Sequence, residues 1–123
     1  MIKKNKVSLW LGFFENKEEF IKYMNIGFDE DGNYVKSKFQ EDYGIEKYDM
    51  DLIETDWIED VATDVETLLA GFSYDFKIIP EFDIELKKLD ISRYNSIILL
   101  YDFEYDNNKK NVNNMNYITC VNY

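Results

Sequence analysis

Residues 94 to 105 constrain the fold of this chain more than any other stretch. Ile97, Ile98, Leu99 and Leu100 follow one another, so a strand built from them is apolar on both faces and has to be covered on both. Tyr101, Phe103 and Tyr105 then alternate with Asp102 and Glu104, which is the period of an extended chain. This reads as the central strand of a sheet. A chain of 123 residues has the length of one ordinary domain, and one core without a linker is expected.

Other segments supply what such a strand needs. Val7, Leu9, Leu11 and Phe13 alternate with Ser8, Trp10 and Gly12, predicting a strand near residues 6–14. The stretch ending Tyr117 to Tyr123 predicts another, near 115–123, paired with the 94–105 strand, and the Asn- and Lys-rich residues 106–114 suit a mobile hairpin loop. Asn16 with Glu19 is a capping-box pattern ahead of a stripe of Phe20, Ile21 and Met24, with Gly27 as the stop of that helix. Asp31-Gly32 is a tight-turn signal that sets Phe28 and Tyr34 in a small hairpin. Ser37 with Gln40, then Phe39 and Tyr43 before Gly44, predicts a short helix. Thr63 with Glu66 starts another, carrying Val65, Leu68, Leu69 and Phe72 and stopped by Gly71. A last helix is expected to start near Pro80, the only proline, with Phe82, Leu86 and Leu89 aligned. From Tyr48 to Ala62 neither period holds, and both strand and ordered loop stay open. The expected fold class is α+β, mainly an antiparallel sheet (strands near 6–14, 94–105 and 115–123) with three to four short helices packed on it.

Charge is concentrated where the periodicity fails. The formal net charge is -11, and between Lys47 and Lys77 there is no basic residue, while Asp49, Asp51, Glu54, Asp56, Glu59, Asp60, Asp64, Glu66 and Asp75 fall in that interval. Carboxylates gathered without partners repel one another, so a field of one sign is expected to steer a basic partner protein, with neither nucleic acid nor a membrane as partner. Charge runs also serve merely to keep a domain soluble; only the total absence of Lys and Arg from 48 to 76 argues for more.

The residue inventory removes most catalytic classes. With no histidine and a single cysteine, Cys120, no Ser/His/Asp, Cys/His or His-ligated zinc constellation can be assembled. The five glycines stand singly at 12, 27, 32, 44 and 71, each read as a cap or a turn, so no phosphate-cradling loop exists. Asp29-Glu30-Asp31-Gly32-Asn33 is similar to part of a calcium loop but lacks its spacing and terminal Glu, so a solvated turn is the better reading. Asp83, Glu85 and Lys87 match half of a metal-dependent nuclease signature, yet alternate positions on a helix do not share a face. No catalytic residue, cofactor or metal is expected.

Location follows from similar elimination. A lone thiol points to a reducing compartment, and Lys3, Lys4 and Lys6 before Val7 to Phe14 lack the small-residue cleavage site of a leader. The longest aliphatic run is far too short to span a bilayer. The chain is expected to be cytoplasmic.

Two tryptophans are candidate anchors. Trp10, in a patterned strand, is expected in the core; Trp57, within Glu54-Thr55-Asp56-Trp57-Ile58-Glu59-Asp60, suits core and interface equally. The candidate partner-binding residues are Asp49, Asp51, Glu54, Asp56, Trp57, Glu59 and Asp60.

Four segments also resemble a known family. They are Val7-Ser8-Leu9-Trp10-Leu11-Gly12, Phe39 to Asp51 with its Asp-Tyr-Gly-Ile core, Leu68-Leu69-Ala70-Gly71-Phe72-Ser73-Tyr74, and Tyr94-Asn95-Ser96-Ile97-Ile98-Leu99-Leu100-Tyr101. Together they are similar to the immunity protein 22 family of bacterial polymorphic toxin systems. The resemblance implies a small α+β protein, encoded beside a toxin gene, that binds the cognate toxin and protects the producing cell. Many such toxins are nucleases, whose active sites are electropositive, so an acidic inhibitor suits them. Two other classes stand beside this one: an acidic binding module or adaptor with no toxin partner, and a metal-dependent carboxylate enzyme. None of these readings sets the oligomeric state.

Overall fold

The computed structural model describes residues 1–106 and 109–123, so Asn107 and Asn108, within the segment expected as a mobile hairpin loop, lie outside the described residues. In chain order the elements are β1 (Ile2–Gly12), α1 (Lys17–Met24), β2 (Gly27–Phe28), β3 (Tyr34–Val35), α2 (Lys38–Tyr43), β4 (Ile53–Trp57), α3 (Val65–Leu69) and α4 (Asp75–Leu86). A 3₁₀ turn at Ile91–Arg93, then β5 (Ser96–Phe103), β6 (Asn111–Val112) and β7 (Met115–Asn122) complete the chain. A five-stranded sheet runs in the order β4-β5-β1-β7-β6, antiparallel at every pairing, and β2 and β3 form a separate two-stranded hairpin. The class is α+β, as expected.

The central strand is β1, not the 94–105 segment. Every side chain from Val7 to Leu11 is fully buried, so β1 is as two-faced as Ile97 to Leu100, and it lies between β5 and β7. The C-terminal strand therefore pairs with β1 (Trp10 opposite Tyr117) instead of with β5. β1 also starts earlier than expected, at Ile2, where its lysines mask the alternation; Ile2 pairs with Phe103, and Lys3 and Lys6 reach Glu104 at 3.6 and 3.9 Å.

Instead of one core there are two, one on each face of the sheet. Val7, Leu9, Leu11, Ile97 and Leu99 pack with Val65, Leu68 and Leu69 of α3 and Ile78, Phe82 and Leu86 of α4. On the opposite face Trp10, Ile98 and Leu100 pack with Phe20 and Tyr23 of α1 and Phe39 and Tyr43 of α2. Trp10 is fully buried, with Phe39 edge-on at 5.0 Å, as the strand pattern implied. The second core is aromatic, and its rings meet tilted or edge-on, arrangements that add about 0.5–1.5 kcal/mol per pair beyond burial.

Tyr101, Phe103 and Tyr105 do not share a face. Asp102 adopts a left-handed backbone (φ 54°) opposite an irregularity in β1 at Asn5 (φ 63°), which resets the alternation. Tyr101 stays in the first core while Phe103 and Tyr105 enter the second. The Asp102 carboxylate accepts from the Asn5 N–H (2.9 Å) and the Tyr123 hydroxyl (2.6 Å), and these bonds, Tyr123 first, hold its pKa below the usual carboxylate range.

The helices follow their caps more closely than their stripes. Asn16 Oδ1 accepts from the Glu19 N–H at 2.9 Å, and Ser37 with Gln40 forms the full reciprocal box ending at left-handed Gly44. Such caps are worth roughly 1 kcal/mol each. Helix α1 ends at Asn25, not at Gly27, which lies in β2, and it buries Phe20 and Tyr23 while Ile21 faces outward. The cap of α3 is Asp64, which accepts from the Thr67 N–H at 2.7 Å, one residue later than Thr63; Gly71 (φ 92°) follows the helix as expected. Pro80 does not start a helix but stands inside α4, whose buried stripe is Ile78, Phe82 and Leu86, while Leu89 lies beyond its end. The carbonyl left without a donor belongs to Phe76, on the exposed side where water can satisfy it. Asp29 Oδ1 accepts from the Asp31 and Asn33 N–H groups, closing the β2–β3 hairpin around Gly32.

Gly12 is neither cap nor turn. It sits in β1 where an added Cβ would lie 2.5 Å from the Asn114 carbonyl oxygen, so its bareness admits the turn that carries the chain from β6 into β7. That turn and β6 occupy part of the segment expected as loop.

Candidate functional site

The acidic stretch that showed no clean period contains a strand, β4, at the edge of the sheet. Its register runs from Ile53 opposite Leu100 to Trp57 opposite Ser96. Alternation along Ile53-Glu54-Thr55-Asp56-Trp57 then puts Glu54 and Asp56 on the α3/α4 side of the sheet, with Ile53, Thr55 and Trp57 on the α1/α2 side.

Backbone bonding alternates too. The Tyr101 N–H donates to the Leu52 carbonyl and the Ile58 N–H to the Asn95 carbonyl, both at 2.8 Å. With these as ladder ends, Glu54 and Asp56 spend their backbone groups on β5, whereas Ile53, Thr55 and Trp57 turn theirs outward, to an edge that no strand covers among the described residues.

The predicted site residues divide among four places. Asp49 and Asp51 lie in the turn before β4, where Asp49 Oδ1 accepts from the Asp51 N–H at 2.9 Å, and both are exposed. Glu54 is half-buried; its carboxylate accepts from both the N–H and the hydroxyl of Ser73, tying the edge strand to the α3–α4 connection. Asp56 is exposed beside it, and Glu59 and Asp60 are exposed in the bend that follows β4. Trp57 is not ringed by these carboxylates. It is half-buried on the other side, against the aromatic core, and its Nε1–H donates to the Phe14 carbonyl at 3.1 Å.

Electrostatics at this edge is unbalanced. Among the described residues, none of Asp49, Asp51, Glu54, Asp56, Glu59 or Asp60 is in an ion pair; the lysine contacts go to Glu104, Glu46, Asp42 and Glu85 instead. Burial first, and then the Glu54 carboxylate, pushes the Tyr101 hydroxyl above its usual range, and that hydroxyl donates to the Ser73 carbonyl at 2.5 Å. Burial also raises the Tyr48 hydroxyl to about 12 just ahead of the acidic turn.

Two hollows flank the edge, and periodicity alone did not find them. On the α3/α4 side Glu54, Thr55 and Asp56 face Ala70, Gly71 and Phe72 across an open groove of about 450 Å³. On the other side Thr55 borders a hollow of about 330 Å³ lined by Phe20, Ile21, Met24, Asn25, Ile26 and Met50. Ile21 and Met50 are exposed, at 56% and 60%. The signal for the strand was present: Ile53, Thr55 and Trp57 alternate with Glu54 and Asp56, but the apolar neighbours Leu52 and Ile58 obscure it.

The sheet edge at β4 is thus open and its carboxylates are unneutralised, and the described residues hold no metal-ligand cluster. The chain belongs to the Immunity protein 22 family, whose model matches residues 7–123, nearly its whole length. The family carries a toxin-neutralising role and implies a cognate toxin as partner. No curated protein and no solved structure matches the chain. Among the described residues no helix is long and apolar enough to cross a membrane.

Proposed function

We propose that the chain is a non-catalytic immunity protein that binds its cognate toxin, a nuclease, in the cytoplasm of the producing cell and covers the toxin's basic substrate groove with the acidic segment from Asp49 to Asp60. The observation that carries this reading is the placement of unpaired carboxylates along an open sheet edge in a chain of the Immunity protein 22 family. A groove that grips phosphates is electropositive, and an acidic protein occupies it without presenting a bond to cleave. The test is co-expression with the C-terminal domain of the protein encoded beside this chain, scoring host growth and recovery of a complex. Wild type is expected to rescue growth and co-purify. The combined Asp56→Asn, Glu59→Gln, Asp60→Asn variant is expected to lose protection while keeping its thermal melt. Full protection by that variant would remove the acidic segment from the contact.

A further inference from the structure

We infer that β4 receives an extended segment of the toxin as an added strand, and that this segment alternates basic with apolar residues; the inference rests on the reading of the chain as a toxin-binding immunity protein. The outward N–H and C=O groups of Ile53, Thr55 and Trp57 form a ready template, since a strand laid beside them at about 4.8 Å continues the sheet.

What flanks the edge decides what the added strand carries. Successive side chains of a docked strand point to opposite sides of the sheet. On one side they enter the groove bounded by Glu54, Asp56 and Ala70 to Phe72, where a lysine or arginine meets two carboxylates. On the other they enter the hollow of Ile21, Met24 and Met50, which suits an apolar side chain and offers no charge. Thr55, whose side chain lies on the α1/α2 side, borders this second hollow.

A second copy of this chain is the poorer occupant. Pairing β4 with β4 sets Glu54 and Asp56 of one copy beside those of the other, and like charges in facing cross-strand positions destabilise a sheet. Charge complementarity selects a basic strand from a different protein, and the bare backbone edge explains how that strand is held. The carboxylates alone would attract any cation; the template together with the two unlike grooves asks for a particular pattern.

Amide hydrogen exchange on the wild-type chain, free and bound to the neighbouring-gene toxin domain, reads this directly. In the complex the amides of Ile53, Thr55 and Trp57 are expected to slow at least tenfold, while those of Glu54 and Asp56, already bonded to β5, change less. The toxin segment protected in the same experiment should read basic and apolar at alternate positions. Thr55→Pro removes an outward donor without touching the β5 ladder, and proline is tolerated at such an edge position. It is expected to weaken binding about tenfold or more with the melting temperature close to wild type. A full-affinity complex in which those three amides exchange at their free rates would overturn the added strand and leave the immunity reading standing. A protected toxin segment without alternating lysine or arginine would overturn the pattern. Absence of any complex and of any growth rescue would instead defeat the immunity reading, and the inference with it. Should Thr55→Pro unfold, exchange on the wild-type pair decides the matter alone.

Discussion

The sheet has two edges that handle the same hazard in different ways. Strand β7 is long and uncharged from Met115 to Tyr123, the composition most prone to pairing with a stray strand. It is guarded structurally: β6 covers its start, an irregular register against β1 disturbs its middle, and Tyr123 is tied to Asp102 at its end. Strand β4 is short and has no such cover, but Glu54 and Asp56 lie within it, with Asp49, Asp51, Glu59 and Asp60 at its ends. Cover and distortion discourage a visitor of any charge, whereas carboxylates repel acidic visitors and attract basic ones. The difference is the ground for proposing β4, and not β7, as the edge a partner docks on.

Charge reversal should separate the edges most sharply. Asp56→Lys is expected to weaken toxin binding by about a hundredfold or more, because like charges brought together across an interface cost several kcal/mol. Asn122→Lys, at the exposed end of β7, should change the same titration by less than about twofold; equal losses from the two would erase the distinction. Salt should act next. Raising sodium chloride from about 50 mM to about 500 mM is expected to slow association about tenfold in stopped-flow traces, with dissociation nearly unchanged, since screening weakens steering more than close contact. The smallest effect belongs to the β7 tie. The folded pKa of Asp102 is depressed by its bonds from Tyr123 and Asn5, so its contribution is present above the unfolded carboxylate pKa of about 3.9 and is lost as pH falls through the lower folded value. Asp102→Asn, which still tolerates the left-handed backbone, should lower the melting temperature by about 2 °C at neutral pH, and the difference should shrink as pH falls below the unfolded carboxylate pKa of about 3.9.

Sequence periodicity disclosed most of the scaffold. Val7 to Leu11, Ile97 to Leu100, the Ser37–Gln40 box and the Asp31-Gly32 hairpin are local signals, and local energetics settle them. What escaped depends on partners distant in the chain. That β7 lies beside β1 instead of β5 is a matter of which apolar faces meet, and two equally apolar strands offer no local clue. Propensity favours Pro80 at a helix start, yet burial of Ile78 with Phe82 and Leu86 outweighs the bond lost by placing it inside α4. At the candidate site the acids were legible as composition. Their division from Trp57 was not, because Leu52 and Ile58 extend the apolar positions past the strand ends; half-buried Trp57, bonded to Phe14, serves the aromatic core.

The position of β1 also sets a clock. Its two partners, β5 and β7, come from the far end of the chain, so Trp10 has to wait for Ile98 and Tyr117 before either face of the sheet can close. At roughly 5–20 residues per second of synthesis, the first strand stays unpaired for several seconds while the rest of the chain emerges. A chain interrupted before Met115 therefore lacks the strand on one side of β1, and Trp10 stays without its partner Tyr117.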